Sequence, residues 1–528
     1  MQNGKGIYWA IGIAVALNTQ AHAQNCTPAF SHDAREERAC ARDARLSLPN
    51  DFLSNHPDSQ WNPNTPIPFW DSILGPPGQS PLYRLGLIWE GQAPLHRNET
   101  EAFYPASTMK LWTAWFALNH LGKNFRFTTE LAWKYSELDP TEIHELRLIG
   151  DGDPTWGMQE FGQPNPEDAL RKVVQHLKDT GIRRVHGPIQ VISSSPQWDF
   201  VRYPEGWRQE DFVSCFGAQP QGFNLGGNCA ELVIQSHDRV YMSRSEVPVS
   251  LTIQLRPGNE TRIQIDRMDS PSVESTGFQI SGTFKKGDAP FRHWLPVHHA
   301  REWTSRLLIS ELKLAGIQWV QTRNRLSAVR AKNPLEKKVL IQSPPLQQIL
   351  VPFLKRSLNW LGESLIRKVG QNSSWDSDTS FFKAGMELLQ HDVDHLLASL
   401  GLPQTIVLKD GSGVSHASWV TPLATLHFLE QLQQSPEFHT VWDALPIAGV
   451  DGTLEKRMKG TAAENWLRGK TGTLSDAYNL AGYIPTPSGA LISFVQLVHT
   501  QKENGREARA LIDRTGSELA RLHRQTRP

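Results

Sequence analysis

The sequence is poor in cysteine, carries no net charge and has no long apolar stretch after its first residues. Four of its 528 residues are cysteines, and none forms a Cys-x-x-Cys motif or a cluster with histidine. Because such motifs supply most zinc sites, we predict neither a metal nor a cofactor. Basic and acidic residues balance at 54 each, which argues against nucleic acid or an anionic membrane surface as a partner.

The one notable apolar run lies at the N-terminus. Lys5 supplies a positive charge, Ile7 to Leu17 are apolar, and Ala21-His22-Ala23 fits a small-residue cleavage site. The run is shorter than the roughly 20 residues that a membrane span needs. We therefore predict that residues 1–23 are a cleaved signal peptide and that the mature chain is periplasmic, without a membrane span. An uncleaved anchor is the alternative.

In an oxidising compartment the cysteines can form disulfides. Four cysteines permit three pairings. Cys26 and Cys40 are as far apart in the sequence as Cys215 and Cys229, and we favour local pairing within each pair. A bridge of this span would stabilise the fold by about 3 kcal/mol in the loop-entropy model.

The chain is longer than one hydrophobic core requires, so two or three domains are expected. A strand from Leu82 to Glu90 and strands beyond residue 466 flank long helices, which predicts an α+β domain whose two halves are split by an insertion. Short strands separated by turns predict that the insertion is β-rich. The predicted divisions are an irregular lead-in at 24–78, a first domain at 79–125 and 340–528, a second at 126–235 and 291–339, and a small β domain at 236–290.

Two further predictions concern the second half of the chain. Leu346 to Val369 is predicted to be helical throughout, and a strand is predicted to begin at Ile406-Val407-Leu408. That strand ends in Asp410-Gly411-Ser412-Gly413, which lacks the spacing and the following lysine of a phosphate-binding loop. We interpret it as a tight turn near a cleft.

The strongest chemical signal is Ser107-x-x-Lys110. It follows Pro105 at the start of an apolar pattern that predicts a helix from Met109 through Leu118. Residues three apart share one face of a helix, so the two side chains should meet. A serine hydroxyl needs a neighbouring base to become a nucleophile, and a lysine is a base only when burial or a second cation lowers its pKa. The motif therefore predicts a closed cleft that holds another lysine.

Two more motifs follow in the C-terminal half. Ser357-x-Asn359 comes after Pro352, and Lys470-Thr471-Gly472-Thr473 ends a predicted strand. Singly, the motifs could be a solvated helix face, a helix cap and a hairpin turn. In this order they are typical of penicillin-binding proteins and serine β-lactamases.

These residues predict an acyl transfer. Ser107 attacks a carbonyl and forms an acyl-enzyme, while Lys110, kept neutral by burial and by Lys470, takes the hydroxyl proton. Ser357 and Asn359 relay a proton to the departing amine and orient the substrate amide.

The third motif predicts substrate recognition. A cationic Lys470 binds a terminal carboxylate beside the hydroxyls of Thr471 and Thr473. Gly472 leaves the strand edge bare, so that an extended substrate can lie along it. The backbone N–H groups of Ser107 and Thr473 are the predicted oxyanion hole.

The motif set resembles the class C, low-molecular-mass penicillin-binding proteins of the D-alanyl-D-alanine carboxypeptidase/endopeptidase family (penicillin-binding protein 4 type, peptidase family S13). Other segments are similar to family segments as well: Pro105–Lys110, Gly150–Thr155, Cys215–Ala218 with Asn228-Cys229, Lys409–Gly413, Asp451–Leu454 and Gly469–Thr473.

This resemblance implies a serine β-lactamase/penicillin-binding-protein-like transpeptidase domain split by inserted domains, with a disulfide loop from Cys215 to Cys229. It implies cleavage of the terminal D-Ala, or of D-Ala–diaminopimelate cross-links, in peptidoglycan. The implied partners are peptidoglycan stem peptides and β-lactam antibiotics.

The second motif departs from the family pattern, because Leu358 stands where the family usually has Asp. We expect altered helix packing there rather than lost chemistry. Two other functions stay open. A serine β-lactamase or esterase shares the acylation machinery, although class C lactamases carry Tyr-x-Asn as the second motif. A non-enzymatic cell-wall binding protein would have no use for the complete motif set.

Overall fold

The computed structural model describes residue 74 and residues 83–90, 94–200, 203–268, 275–321, 336–373 and 379–524. The predicted signal peptide, the lead-in up to residue 73 and the Cys26–Cys40 pair lie outside these residues. Within them, no helix combines the length and the apolar character needed to cross a bilayer.

The helices of the described residues, in chain order, are α1 (Met109–Leu121), α2 (Pro166–Asp179), α3 (Ala300–Leu314), α4 (Leu346–Lys355), α5 (Asn359–Asn372), α6 (Phe381–Ser399), α7 (Pro422–Gln433), α8 (Phe438–Ala444) and α9 (Gly505–Arg524).

The strands are β1 (Arg84–Trp89), β2 (Leu95–Arg97), β3 (Thr128–Tyr135), β4 (Glu142–Gly150), β5 (Arg184–His186), β6 (Ile189–Ser193), β7 (Cys229–Ser236), β8 (Arg239–Met242), β9 (Val249–Gly258), β10 (Arg262–Met268), β11 (Thr276–Lys285), β12 (Phe291–Pro296), β13 (Gln318–Val320), β14 (Glu336–Gln342), β15 (Arg468–Thr473), β16 (Ala477–Pro485) and β17 (Leu491–His499).

A five-stranded sheet joins the first and last strands of the described residues, in the order β15-β16-β17-β1-β2. Successive residues of a strand face opposite sides of the sheet, and both sides are covered here. On one side Ile88 and Val495 pack into the core that contains the helix α1. On the other side Leu87 and Phe494 pack against apolar residues of α9. Because both faces are covered, every residue of β16 is buried, and most of its residues are apolar.

The chain between α1 and α4 forms further sheets. One six-stranded sheet has the order β13-β5-β4-β3-β14, with β6 paired to β4, and two three-stranded sheets have the orders β12-β7-β8 and β10-β11-β9. In the first of these, Thr128 pairs with Gln342, so the two ends of this region lie side by side. This arrangement agrees with an insertion, while the domain limits given above stay a prediction.

Two predicted elements are wrong in detail. The helix predicted from Leu346 to Val369 is two helices, α4 and α5, because Ser357 has a left-handed backbone (φ 61°) that an α-helix cannot contain. The strand predicted at Ile406-Val407-Leu408 is one isolated bridge from Val407 to Trp419. The N–H of Leu408 donates to the Gln390 side chain instead of to a neighbouring strand.

Candidate active site

Ser107 lies in a short 3-10 turn, Ala106–Thr108, directly before α1. The predicted helix therefore begins after the serine. The sheet fixes the position of this turn, because the Asn479 Nδ2 group of β16 donates to the carbonyls of Tyr104 (2.9 Å) and Pro105 (2.8 Å). The backbone of Ala106 is left-handed (φ 44°), which makes the chain turn sharply at this point.

Lys110, in the first turn of α1, meets the serine as the three-residue spacing predicts. Its Nζ atom lies 2.8 Å from Ser107 Oγ, 2.8 Å from Asn359 Oδ1 and 2.6 Å from the carbonyl oxygen of Ser412. The residue has no exposed surface. Burial lowers the pKa of Lys110 to about 7, although the charges of Asp410 and Glu363 act in the opposite direction.

These three contacts suit a neutral amine. An uncharged lysine has two N–H donors and one lone pair. When Asn359 and Ser412 accept the two N–H groups, the lone pair is directed at the hydroxyl of Ser107. The geometry therefore places a base beside the serine, in direct hydrogen-bond contact.

The second motif lies between α4 and α5. Asn359 is the first residue of α5, and its Nδ2 group donates to the carbonyl oxygen of Phe216 (2.9 Å), which belongs to the inserted region. Ser357 Oγ accepts a hydrogen bond from Lys470 Nζ (2.9 Å). Leu358 is half-buried against the main core, and the expected effect of this departure on helix packing stays a prediction.

The third motif lies on β15, where Lys470 is fully buried and also donates to the carbonyl of Thr471 (2.7 Å). Burial, followed by the charge of Lys110, lowers the pKa of Lys470 well below its usual range. The sequence predicts a cationic lysine that keeps Lys110 neutral. In the structure burial is the main cause of the lowered pKa of both lysines.

Gly472 has a packing role that the sequence did not indicate. A Cβ atom at this position would lie 2.9 Å from the Pro105 carbonyl oxygen and 3.1 Å from Ala106 Cβ. The glycine therefore lets β15 approach the turn that carries Ser107, while its place beside an extended substrate stays a prediction.

The three motifs border one cavity of about 470 Å³. Ser107, Ser357, Asn359, Thr471 and Thr473 line it. Its far wall comes from the inserted region and from residues around 415 and 475, and it includes the charged or polar side chains of Arg208, Glu210, Asp211, His416, Ser475 and Lys502. The described residues contain no group of three His, Cys, Asp or Glu suited to a metal ion.

The structure contains a disulfide between Cys215 and Cys229. The loop that it closes carries Phe216, which contacts Asn359 as described above and also lines the cavity. The bridge therefore lies directly beside the second motif.

Sequence reasoning missed the buried charges behind the cleft. Asp410 is fully buried and accepts the N–H groups of Gly413, Val414 and Ser415. Glu363 and Arg367 of α5 are buried as well. The position of Glu363, one helical turn after Asn359 on the same face, was the signal that could have indicated it.

A family model described as "D-Ala-D-Ala carboxypeptidase 3 (S13) family" matches residues 87–519. The chain is 29% identical to a D-alanyl-D-alanine carboxypeptidase of Actinomadura sp. (strain R39), over 76% of this chain and 74% of that one. It is 25% identical to the D-alanyl-D-alanine carboxypeptidase DacB of Haemophilus influenzae, over 76% and 81% of the two chains.

The fold is similar to the crystal structure of penicillin-binding protein 4 (dacB) from Haemophilus influenzae. The TM-score is 0.67 at 22% identity, and the match covers 84% of this chain and 97% of that one. These similarities confirm the family and the α+β fold predicted from the motifs. The chain belongs to the S13 family of D-Ala-D-Ala carboxypeptidases and is a serine-type hydrolase.

Proposed function

We propose that this chain is an exported DD-peptidase that acts on peptidoglycan through an acyl-enzyme on Ser107. The cleaved bond is the amide between the terminal D-Ala residues of a stem peptide or a D-Ala–diaminopimelate cross-link. The observation that carries the proposal is the direct contact between Ser107 Oγ and a fully buried lysine whose pKa is about 7.

Acylation proceeds in two steps. Ser107 Oγ attacks the carbonyl carbon of D-Ala as its proton passes to Lys110 Nζ, and the oxyanion binds to the N–H groups of Ser107 and Thr473. When the C–N bond breaks, Ser357 passes its proton to the departing amine and takes one back from Lys110, which becomes neutral again. Water then adds to the ester carbonyl and gives one proton to Lys110. That proton passes to Ser107 Oγ as the ester C–O bond breaks, which releases the acid and free Ser107.

Recognition rests on the third motif. The carboxylate of the departing residue supplies the anion that stabilises a proton on Lys470, with the hydroxyls of Thr471 and Thr473 as further donors. A Lys470→Ala variant should therefore discriminate less between a free C-terminal acid and its amide. If both substrates lose activity by the same factor in this variant, this role of Lys470 is wrong.

β-Lactams fit the same site, because they combine a reactive amide with a nearby carboxylate. A second structure of the Haemophilus influenzae protein, with a TM-score of 0.64 to this chain, is of a β-lactam complex, which supports this part of the proposal. The signal-like residues 1–23 support export to the periplasm.

The test is digestion of purified muropeptides, both monomeric and cross-linked, with the product masses recorded. Loss of one D-Ala from a pentapeptide indicates carboxypeptidase activity, and conversion of dimers to monomers indicates endopeptidase activity. Ser107→Ala should abolish both without changing the thermal unfolding midpoint. Unchanged product release by that variant would overturn the assignment of the nucleophile.

Two outcomes separate the rival functions. Rapid hydrolysis of penicillin with no action on muropeptides would favour a β-lactamase. Binding of muropeptides without any product would favour a cell-wall binding protein.

A further inference from the structure

A pair of buried charges lies behind the catalytic lysine and has no part in the mechanism above. Glu363 and Arg367 occupy successive turns of α5, and neither side chain has exposed surface. Arg367 Nη1 lies 3.8 Å from Glu363 Oε2, and the guanidinium lies over the ring of Phe382. Burying such groups is unfavourable unless they are paired and hydrogen-bonded, so their presence here calls for a reason beyond packing.

One turn of the chain, which contains Gly411 and Ser412, connects the pair to Lys110. Glu363 Oε1 accepts the N–H of Gly411 (3.0 Å), and the next residue, Ser412, offers its carbonyl oxygen to Lys110 Nζ. The backbones of α5 and of this turn touch, because a Cβ atom on Gly362 would lie 2.5 Å from the Gly411 carbonyl oxygen. The carboxylate therefore fixes the turn against the helix that also carries Asn359.

The same turn is held from two other sides. Thr113 Oγ1 of α1 donates to the Gly411 carbonyl (2.7 Å), and Asp410 accepts three N–H groups of residues 413–415. The carbonyl of Ser412 is thus placed by three separate anchors, of which two are carboxylates.

We propose that Glu363 is a positioning residue for catalysis, which holds the Ser412 carbonyl so that the lone pair of Lys110 faces Ser107, and whose ionised form adds a negative charge beside that lysine. This inference rests on the proposed function. The charged groups that face Lys110 are Asp410 from the turn, Glu363 and its partner Arg367 from α5, and Lys470 from β15. Burial and the charge of Asp410 raise the pKa of Glu363 itself to about 7. The ionised form of Glu363 favours the protonated form of Lys110, so removing it should let the lysine lose its proton at lower pH.

The experiment measures the rate of acylation by a fluorescent penicillin between pH 5 and 9, in about half-unit steps, for the full chain and three variants. Glu363→Gln keeps an oxygen acceptor for Gly411 and removes the charge. We expect the plateau rate, reached at high pH, to stay within about threefold of the wild type. The acid limb, where the rate falls as the pH decreases, should move to lower pH by roughly one unit.

Glu363→Ala removes the acceptor too, and its plateau rate should fall by about tenfold or more. Thr113→Val removes an anchor of the same turn without any change in charge. It should lower the plateau while leaving the acid limb in place. Thermal midpoints of all variants show how far each one is destabilised.

Two results would overturn the inference. One is that both Glu363 variants show the same plateau rate and the same acid limb as the wild type. The other is an equal loss of plateau in both, in proportion to their loss of thermal stability, because that pattern describes a residue that only stabilises the fold. Failure of the wild type itself to be acylated would instead refute the proposed function, and this inference with it.

Discussion

The surroundings of Lys110 determine the protonation state of the candidate base. Burial removes the water that would stabilise an ammonium, and three oxygens lie around its Nζ atom within 2.8 Å. With a pKa of about 7, the neutral form is well populated near neutral pH without any conformational change.

The first prediction follows from this pKa. In the proposed mechanism Lys110 acts as the neutral amine, so acylation should be slow at pH 5, rise through an apparent pKa of about 7 and level off above it. Stopped-flow labelling with a fluorescent penicillin measures this profile. A rate that is independent of pH across that range would contradict a lysine base.

A second prediction concerns Gly472, whose missing Cβ lets β15 approach the serine turn. Gly472→Ala would bring a methyl group within 2.9 Å of the Pro105 carbonyl oxygen and displace the turn or the strand. We expect acylation to fall by about tenfold and the stability by about 1–3 kcal/mol.

Gly469→Ala on the same strand is the matched control. Its Cβ would lie 3.0 Å from the end of the Leu480 side chain and 3.1 Å from the Ala481 carbonyl oxygen, and no atom of Ser107 is among its nearest neighbours. It should therefore change the thermal midpoint more than the acylation rate. Equal losses of acylation in the two variants would show that the close approach at Gly472 has no special importance.

Among the elements, the inserted region contributes directly to the cleft. The Phe216 carbonyl accepts the Nδ2 group of Asn359, which fixes the other end of the same amide, Oδ1, towards Lys110. A reversed amide would present donors to the lysine and remove an acceptor for one of its N–H groups. The loop closed by Cys215 and Cys229 holds that carbonyl in place.

This contact gives a third prediction. A Cys215→Ser/Cys229→Ser double variant should lose about tenfold in acylation rate through misplacement of Asn359, and up to about 3 kcal/mol of stability. Reductant should slow the wild type to a similar degree. The double variant should be insensitive to reductant, which separates this bridge from any effect at the two remaining cysteines. An unchanged rate in the double variant would contradict the role of the loop.

The elements also show where sequence reasoning reached its limit. Ser107-x-x-Lys110 was predictable because helix geometry alone brings those side chains together. The break of the helix at Ser357 was not, because it depends on a left-handed backbone at a residue other than glycine or asparagine. The contact of Phe216 with Asn359 joins residues far apart in sequence and involves a backbone carbonyl, so no local pattern indicates it.

For the molecule as a whole, ionic contacts tie the inserted region to the helices. Lys368 of α5 lies 2.8 Å from Asp151, which follows β4, and the two side chains are 8% and 18% exposed. Removing one member of such a pair lowers the free energy of unfolding considerably, because the remaining charge stays poorly hydrated. The pair therefore helps to keep the wall that contains Phe216 against α5.

The fourth prediction tests this connection. Lys368→Met should destabilise the protein by about 2 kcal/mol or more. Lys338→Met, which removes a largely exposed partner of Glu130, should change stability by about 0.5 kcal/mol or less. Thermal unfolding followed by circular dichroism compares the two, and similar midpoints would contradict the proposed tie.

The sequence predicted the overall architecture of the molecule better than its individual contacts. Apolar strands near both ends of the chain predicted the shared sheet, and β1 does pair with β17. The buried cluster of Asp410, Glu363 and Arg367 was not predicted, because charged residues in a sequence are normally read as exposed.

The central claim is that Ser107 is the nucleophile, and peptide mapping after penicillin treatment tests it most directly. The protein is incubated with benzylpenicillin, digested, and analysed by mass spectrometry. We predict one penicilloyl group on the peptide that contains Ser107, and none in the Ser107→Ala variant. A penicilloyl group on another residue, such as Ser357 or Ser412, or an unmodified protein, would contradict it.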